Sequence, residues 1–183
     1  MAEKAKKRRK RLTLEIRPME IDDLATVFHL GEQIFTPEQT PNTYRTWDEY
    51  EVIGMFQDDP EFCLVAEVEG ELAGFVLGTT ITKSRSAWKY GYLIWLGVNP
   101  AFQRNRVADK LFRHFRDLML AAGVRIILVD MDAENHPALK FFQRMGFRNP
   151  EEHIYLSLNL DTVLQQIKEK QKDNPKRGKN HQD

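Results

Sequence analysis

The sequence predicts an α/β protein built on a mixed β-sheet with helices on both faces. Strand-like segments follow one another through short turns in the first half of the chain and alternate with amphipathic helices in the second half. Strands joined by turns pair antiparallel, whereas strands joined by a helix pair parallel, so the two halves together give a mixed sheet. The chain has 183 residues, of which 42% are hydrophobic, which suffices for one domain with a buried core.

The first half of the chain predicts three strands and two helices. The opening strand alternates apolar and charged residues and ends at Pro18, and a turn at Gly70 joins two later strands as a hairpin. Asp22 and Asp23 open the first helix. The elements are, in order, a strand over 12–17, a helix from about 22 to 35, a loop over 36–42, a helix from about 46 to 57, and strands over 62–68 and 72–82.

Buried strands and helices alternate in the second half of the chain. Asn99 and Pro100 end an aromatic, β-branched run, and Gly123 ends the helix that follows it. After residue 161 the sequence is polar and predicts a helix followed by a disordered tail. The elements are, in order, a strand over 90–98, a helix over 104–121, a strand over 125–131, a short helix between Asn135 and Gly146, and an alternating strand over 154–160.

Charge divides the chain into a basic disordered tail over 1–12, a domain over 13–160 and a polar tail over 161–183. Residues 1–13 carry seven Lys or Arg against one Glu, whereas residues 14–160 carry a net charge of −8. An acidic body favours cationic partners, and a basic tail favours polyanions. A tail that only keeps the protein in solution is the other reading of the basic run.

Several classes of protein are disfavoured by composition. One cysteine, Cys63, provides neither a disulfide framework nor a thiolate-rich metal site, and the five histidines show no paired ligand spacing, so no metal is expected. No apolar run approaches the roughly 18 residues that span a bilayer, so no membrane partner is expected. The basic N-terminal run has no apolar stretch behind it, so it is not a secretory signal, and a cytoplasmic location is the expectation.

A candidate anion site lies between the strand over 90–98 and the helix that follows it. Helix N-termini present N–H groups without intrahelical partners and a partial positive charge. Arg104 and Arg106 add two cations that can pair with phosphate. The chain contains neither an ATP-binding loop motif nor a dinucleotide-binding glycine motif. An anion-binding turn and an ordinary helix start with two exposed arginines are both open readings.

Two blocks of the sequence resemble the motifs of the GNAT N-acetyltransferase superfamily. The first runs from Val98 and Pro100 through Gln103 to Ala108 and is similar to the cofactor motif Val-x-Pro-x-x-Gln/Arg-x-x-Gly-x-Gly/Ala. The second, over 135–147, resembles the pattern Asn-x-x-Ala-x-x-x-Tyr-x-x-x-Gly-Phe. The resemblance covers the whole predicted domain and is closest to RimI-like protein and peptide acetyltransferases. It implies a GNAT-type mixed sheet whose central strands splay apart.

The resemblance also implies that the chain binds acetyl-CoA as co-substrate. Pantetheine would lie between the strands over 90–98 and 125–131 and pair with the first of them like an added strand, and the diphosphate would rest on amides at the helix start. Helix capping and core packing are the alternative roles for Asn135 and for the phenylalanines. The implied cofactor-binding residues are Leu96, Gly97, Val98, Gln103, Arg104, Asn105, Arg106, Val107, Ala108, Asn135, Phe141 and Phe142.

Two positions depart from the family pattern. Arg106 stands where the family usually has glycine, and we expect right-handed helical dihedral angles there, with the side chain pointing outward. Phe142 stands where many members have the tyrosine that protonates the departing thiolate. Tyr92 and Tyr155 are the replacement candidates for this acid, although a buried tyrosine more commonly hydrogen-bonds for structural reasons. An unassisted departure of the thiolate is a further alternative.

A base is required because an ammonium group has no lone pair until it is deprotonated. Asp130 lies five residues before Asn135, where peptide acetylases of this superfamily often carry a glutamate base. If residues 125–131 are a strand that continues regularly, Asp130 and Asp132 share one face. Two nearby carboxylates raise each other's proton affinity, which suits a base. Solvated acids at a strand end are the alternative reading.

The predicted function is acetyl transfer from acetyl-CoA to an amine by direct attack, without a covalent enzyme intermediate. The acceptor is expected to be the N-terminus or a lysine of a cationic peptide or protein, and a small-molecule amine or polyamine is an alternative. Residues 35–50 would form the acceptor-side rim, with Tyr44, Trp47 and Tyr50 as contacts. A catalytically weak CoA sensor or scaffold is a second class, and contact with a polyanion through the basic tail is a third.

Overall fold

A computed structural model describes residues 13–36, 46–82, 88–152, 154, 156 and 158–173 of the chain. The chain divides into two compact units, one that ends at Phe147 and one that begins at Arg148. The first unit holds the sheet and four helices, and the second holds one helix.

The first unit is built on a five-stranded sheet in which the strands lie side by side in chain order. The first three neighbouring pairs are antiparallel, and the last pair is parallel because a helix connects its strands. This mixed sheet confirms the predicted fold class. Its strands are β1 (Leu14–Pro18), β2 (Cys63–Val68), β3 (Glu71–Thr82), β4 (Lys89–Val98) and β5 (Val124–Val129).

Helices cover both faces of this sheet. On one face, α3 and α4 bury a cluster that includes Phe112, Phe115 and Phe142. On the other face, α1 and α2 bury a second cluster that includes Phe75 and Trp95. The helices are α1 (Leu24–Ile34), α2 (Glu49–Asp58), α3 (Val107–Ala121) and α4 (His136–Met145).

A β-bulge in β4 switches the direction of its side chains. Gly78 of β3 pairs with Leu93, but the preceding residue, Leu77, pairs with Trp95, so β4 carries one extra residue at Ile94. Leu93 therefore packs into the cluster under α3, whereas Trp95 packs into the cluster under α1 and α2. Bulges bend a strand and increase its local twist. The bulge fixes the place where β4 turns away from its neighbour.

The pairing of β4 with β5 ends at this bulge. The last paired residues are Leu93 and Val129, and β5 ends there rather than at the predicted residue 131. A strand needs a hydrogen-bonding neighbour, and β4 no longer supplies one beyond the bulge. Asp130 and Asp132 consequently lie in irregular chain after the strand, so the prediction that they share a strand face is wrong.

The start of α3 differs from the sequence prediction. The helix begins at Val107 instead of Arg104, because the preceding residues form a 3₁₀ turn and two left-handed positions. Arg104 has φ 65° and Arg106 has φ 61°. The expectation of right-handed dihedral angles at Arg106 is therefore wrong. The family's glycine fits this position because glycine adopts positive φ without steric cost, whereas arginine does not.

The second unit contains α5 (Leu160–Asp173), whose start is capped by Asn159. The Asn159 Oδ1 accepts a hydrogen bond of 2.9 Å from the Asp161 backbone N–H. The described residues of the predicted strand over 154–160 do not form a strand: residues 154, 156, 158 and 159 have no regular structure, and Leu160 is already helical. Period-2 alternation gives a strand only where a neighbouring strand completes the ladder. Tyr155 lies outside the described residues.

An ion-pair network ties β1 to the start of α1. The Arg17 guanidinium contacts Asp23 Oδ2 at 2.6 Å and Glu67 Oε1 at 2.5 Å, and all three side chains are mostly buried. The hydrogen bond from Arg17 lowers the pKa of Asp23 below its usual value. The same partners raise the pKa of Arg17, so this group stays charged.

In the part of the chain that the structure describes, no helix is both long and apolar enough to cross a membrane.

We expect Asp23→Asn to lower the free energy of unfolding at neutral pH by about 1.5–3 kcal/mol, the range for hydrogen bonds to charged groups. Because folding lowers the pKa of Asp23, its contribution is present above the unfolded value of about 3.9 and is lost as pH falls through the folded value. Urea unfolding from pH 7 to pH 2.5 should show the difference between parent and variant shrinking below pH 4. The exposed Asp22→Asn serves as control, and a difference independent of pH would contradict the prediction.

We expect Arg106→Gly to stabilise the protein by about 1 kcal/mol, because an L-residue in the left-handed region carries a steric cost that glycine avoids. Thermal and denaturant unfolding would measure the change. The matched control is Arg113→Gly, an exposed position inside α3, where the same exchange should destabilise by about 1 kcal/mol. Changes of the same sign at both positions would refute the backbone argument.

Candidate functional site

The candidate site is the wedge that opens between β4 and β5 above their last pair, Leu93 and Val129. On its other edge β4 stays paired with β3 as far as Val98, so the strand remains ordered while its β5 side opens. Leu96 and Val98, two predicted cofactor residues, lie in this stretch and are half-buried. No described strand lies beside this part of β4 on the β5 side. An extended ligand with amide groups can add to such a strand edge.

The floor of the wedge is closed by a hydrogen bond between the two strands. The Tyr92 hydroxyl of β4 donates to Asp130 Oδ1, just after β5, at 2.5 Å. Tyr92 is half-buried and Asp130 is exposed. The structure thus brings together two residues that the sequence offered separately as an acid and a base, although 38 positions separate them.

The top of the wedge is the beginning of α3. The backbone N–H groups of Arg104, Arg106, Val107 and Ala108 donate no hydrogen bond to other described residues. Such groups carry the partial positive charge of a helix N-terminus and can bind an anion. These four predicted cofactor residues therefore form one group of free donors.

Gln103 and Asn105 use their backbone amides differently from this group. The Gln103 N–H donates to the carbonyl of Pro100, and the Asn105 N–H donates to the carbonyl of Phe102. Both amides shape the turn that precedes the helix. Their backbone amides are therefore not available to a cofactor. Their side chains are exposed, so cofactor binding by these two residues would use the side chains.

A pair of arginines shares one carboxylate beside these amides. Arg144 of α4 contacts Asp109 Oδ1 at 3.0 Å, and Arg106 approaches Asp109 Oδ2 to 3.8 Å. Asp109 is 15% exposed, whereas the Arg106 side chain is 74% exposed. Sequence reasoning missed both Asp109 and Arg144; the three-residue spacing of Arg106 and Asp109 on a helix was the available signal. The site therefore holds two partly neutralised guanidinium groups.

Asn135 serves as the N-cap of α4. Its Oδ1 accepts a hydrogen bond of 3.1 Å from the Ala138 N–H, so its structural role is realised. The Nδ2 group donates to no other described residue, which leaves donors for a ligand.

Phe141 and Phe142 belong to an aromatic cluster between α3 and α4. Phe142 is 7% exposed and lies with its ring centroid 5.2 Å from that of Phe147 and 6.4 Å from that of Phe112. Phe141 is half-buried, and the Arg144 guanidinium lies 5.4 Å from its ring centroid. Phe142 is thus a core residue and provides no proton donor at the position where the family pattern has tyrosine.

Gly97 is required by packing on the α1 side of the sheet. A Cβ atom at Gly97 would lie 2.6 Å from Ile34 Cδ1 and 2.7 Å from the Phe75 ring, closer than side chains tolerate. This close approach explains the glycine without any ligand. The predicted cofactor role of Gly97 rests on its place between Leu96 and Val98 alone.

A second aromatic cluster lies on the face of the sheet that α1 and α2 cover. Trp47 contacts Trp95 with ring centroids 5.1 Å apart, and its indole N–H donates to the Phe28 carbonyl at 3.0 Å. Trp47 therefore packs inside the domain, whereas Tyr50 is exposed and Tyr44 lies outside the described residues. Sequence reasoning missed Glu51, whose carboxylate accepts a hydrogen bond of 3.2 Å from the Trp95 indole at the bulge.

Cys63 is fully buried in β2 and does not face the wedge. Burial raises the pKa of its thiol to about 12. The thiol therefore stays protonated, so Cys63 is a core residue and not a nucleophile.

Among the residues that the structure describes, no group of three or more His, Cys, Asp or Glu side chains could hold a metal ion.

Solved structures with the same fold include aminoglycoside acetyltransferases and Ard1. Aminoglycoside N-acetyltransferase AAC(6')-Iy in complex with CoA is 20% identical and superposes with a TM-score of 0.64, covering 81% of this chain and 96% of that chain. Ard1 from Thermoplasma volcanium is 18% identical, with a TM-score of 0.64 and coverage of 75% and 84%. An aminoglycoside acetyltransferase from an uncultured soil metagenomic sample is 20% identical, with a TM-score of 0.63 and coverage of 80% and 97%.

The sequence itself matches the model of the acetyltransferase (GNAT) family over residues 24–147. The matched region contains the wedge, the amides at the start of α3 and the whole of α4. The chain is an acetyltransferase that belongs to the GNAT family.

Proposed function

We propose that this acetyltransferase moves an acetyl group from acetyl-CoA to the amine of a cationic acceptor, with a peptide N-terminus or a lysine side chain favoured. The observation that carries the proposal is the wedge between β4 and β5, which has free amides at its top and the hydrogen-bonded Tyr92 and Asp130 at its floor. An anion-binding end and a proton-transfer end, joined by an open strand edge, suit a long ligand with a phosphate at one end and a thioester at the other.

The residues around the wedge fit the chemistry of CoA. Its diphosphate would accept hydrogen bonds from the free N–H groups at the start of α3, with Arg106 and Arg144 near enough to add positive charge. Pantetheine carries amides that can pair with the open edge of β4 at Leu96 and Val98, and the free Nδ2 of Asn135 can donate to its carbonyl groups. Support also comes from AAC(6')-Iy, an enzyme of the same fold whose structure contains CoA.

The acceptor ammonium first loses one proton to solvent, and the neutral amine then attacks the thioester carbonyl carbon directly. The carbon–nitrogen bond forms, the carbon–sulfur bond breaks, and the electron pair of that bond leaves with the thiolate. Asp130 accepts the proton that the nitrogen loses, and Tyr92 gives its hydroxyl proton to the sulfur. The existing hydrogen bond then returns a proton from Asp130 to the Tyr92 oxygen. Both residues end as they began, so the proton balance closes without Phe142.

A cationic acceptor is supported by the charge around α1 and α2. Residues 18–62 contain eleven acidic residues and a single basic residue, Arg45, a net charge of −10. Such a charge attracts cations toward the side of the sheet that carries Trp95 and Glu51. The peptide preference rests on the RimI-like sequence pattern. The aminoglycoside acetyltransferases among the structures with this fold support a small polyamine as the second candidate.

Two further expectations belong to this proposal, and one alternative stands beside it. The basic tail over 1–12, which lies outside the described residues, would hold a polyanion and bring the enzyme near it. The cytoplasm is the expected compartment. A catalytically weak CoA sensor remains the alternative that Phe142 suggests, and it differs from the enzyme only in turnover.

We expect acetyl-CoA to bind the full chain in isothermal titration and to be consumed with cationic peptides or polyamines. Basic peptides with a free N-terminus, the same peptides with a blocked N-terminus, and spermidine should separate the three kinds of acceptor by rate. Acidic peptides are the control, because the charge of the acceptor side disfavours them. Binding without turnover on any acceptor would favour the sensor, and no binding of acetyl-CoA would refute the proposal.

We expect Asp130→Asn and Tyr92→Phe each to lower kcat by about 10²–10⁴-fold, the usual range for losing a positioned acid or base. The double variant should lose little more than either single variant, because both residues serve one proton path.

The matched control for these variants is Asp132→Asn. Asp132 lies two residues further on, and its Oδ1 accepts a hydrogen bond of 2.8 Å from the Glu134 backbone N–H, which is a turn contact. This variant should keep kcat. Losses at Asp132 as large as those at Asp130 would count against the assignment of the base.

A further inference from the structure

Glu51 of α2 presents its carboxylate to β4 at the level where the wedge opens. Its Oε2 accepts a hydrogen bond of 3.2 Å from the Trp95 indole N–H. Trp95 directly follows the extra residue of β4, and the pairing of β4 with β5 has already ended at this level. The side chain of Glu51 is therefore tied to the strand that forms one side of the wedge.

The position of this carboxylate is fixed at both ends of the residue. The Glu51 backbone N–H donates a hydrogen bond of 2.9 Å to Asp48 Oδ1, which caps the start of α2. Trp95 is 6% exposed, and its ring centroid lies 5.1 Å from that of Trp47, so its indole donor is held in place. Trp47 packs closely on α1, because a Cβ atom at Gly31 would lie 2.0 Å from its ring. A carboxylate positioned in this way loses little freedom when a ligand binds.

The second oxygen of this carboxylate is available to a ligand. Among the described residues, none donates a hydrogen bond to Glu51 Oε1. The surrounding elements α1, α2 and β3 contain no Lys or Arg, and Lys89 lies near the other end of β4, about 20 Å before Trp95 along the strand. A half-buried negative charge without a neighbouring cation favours a cationic ligand.

Tyr92 lies on the same face of β4 as Trp95. A Cβ atom at Gly91 would point into the cluster under α3, to which Leu93 also belongs. Because neighbouring residues of a strand point to opposite faces, Tyr92 lies on the face that α1 and α2 cover. Trp95 belongs to the cluster on that face.

Two carboxylates are therefore anchored to one face of β4. Tyr92 holds Asp130, and Trp95 holds Glu51. Three residue steps of a strand span about 10 Å, and the pairing of β4 with β5 ends between the two anchors. An acceptor with two amino groups on a short alkyl chain has the right size and charge to contact both carboxylates.

The two carboxylates differ in what they can do for such an acceptor. The amine that attacks must be neutral, whereas a carboxylate that stays charged raises the pKa of an ammonium group and keeps it protonated. In the proposed reaction Asp130 takes the proton of the reacting nitrogen and exchanges protons with Tyr92. The neighbour of Glu51 is an indole, which donates a hydrogen bond but does not accept a proton. Glu51 therefore suits a cation that remains protonated.

We propose that Glu51 determines specificity by binding a second, non-reacting ammonium group of the acceptor. The inference rests on the proposed acetyl transfer and narrows its acceptor to dications. The shared chemistry is an amine that reacts and an ammonium group a short alkyl chain away, as in a polyamine or in a peptide with a lysine beside the reacting N-terminus. An amine with a single charge lacks this contact.

The test uses the full chain with acetyl-CoA and compares a series of α,ω-diaminoalkanes with 1-aminoalkanes of the same length. Glu51→Gln removes the charge, but its side-chain carbonyl can still accept the hydrogen bond from Trp95. We expect this variant to raise the KM for diamines about 10–100-fold, the range for losing one charge-assisted hydrogen bond, and to change the KM for monoamines by at most about twofold.

The matched control is Glu49→Gln. Glu49 is exposed in the first turn of the same helix, so this exchange removes the same charge without touching Trp95. It should leave the KM for diamines unchanged within about twofold, because exposed charges are screened by solvent and salt. Thermal unfolding of both variants at the temperature of the parent protein would show that the fold is intact.

Binding without chemistry gives a second readout. In the presence of CoA, which carries no acetyl group, a diamine should bind to the parent protein in isothermal titration and lose about the same factor of affinity in Glu51→Gln. A peptide with a free N-terminus and an adjacent lysine, compared with the same peptide carrying norleucine, tests the peptide source of the dication. A drop in kcat/KM within this pair supports a peptide acceptor, and a preference for diamines over both peptides supports a polyamine.

The outcomes that overturn this inference differ from those that refute the acetyl transfer. If diamines and monoamines are acetylated with equal KM, the inference is wrong and the proposed function stands. Equal losses for both kinds of amine in Glu51→Gln show an effect on the chemistry and overturn it too, as does an equal loss in Glu49→Gln, which reflects only the charge of the surface. No consumption of acetyl-CoA with any amine refutes the proposed function and this inference together.

Discussion

The extra residue of β4 at Ile94 is the constraint on which the site depends. It makes Leu93 and Trp95 face opposite sides of the sheet, so each side chain anchors the strand in a different hydrophobic cluster. The strand bends at the bulge, and its pairing with β5 stops at the same level. The open edge above and the hydrogen bond between Tyr92 and Asp130 below are both consequences of this one irregularity. A regular ladder through the whole length of β4 would leave no room for a ligand.

Backbone strain is concentrated at the other end of the wedge. Arg104 and Arg106 both hold left-handed conformations that glycine adopts freely and arginine adopts at a cost of about 1–2 kcal/mol. The arginine at position 106 brings a charge to a place where the amides of α3 already favour anions. At this turn the protein therefore loses some folding stability, and it gains a positive charge that favours anion binding. Such strain is common where a fold holds a ligand, and the compact clusters on both sides of the sheet tolerate it.

The sequence was most informative where local patterns decide the structure. Hydrophobic periodicity placed all five strands of the first unit, and Asn135 placed the start of α4, whereas α2 begins at Glu49 instead of the predicted residue 46. Most of the errors concern features that depend on a distant neighbour, whereas the left-handed backbone at Arg106 is a local feature. The end of β5 depends on where β4 turns away, and the hydrogen bond of Asp130 joins positions far apart in the chain. A uniformly apolar run gives no sign of the bulge, and the alternating pattern over 154–160 is not matched by a strand in the residues of that range that the structure describes.

Asp109 couples the start of α3 to α4. Its carboxylate is shared by Arg106, next to the amides of α3, and Arg144, which belongs to α4. A dianionic group arriving at those amides competes with Asp109 for both guanidinium groups. A change that weakens the contact between Asp109 and Arg144 therefore also alters the affinity for the anion. By linkage, anion binding weakens that contact by the same free energy. The position of α4, which is capped by Asn135 and carries Phe141 and Phe142, is therefore thermodynamically coupled to anion binding at the start of α3.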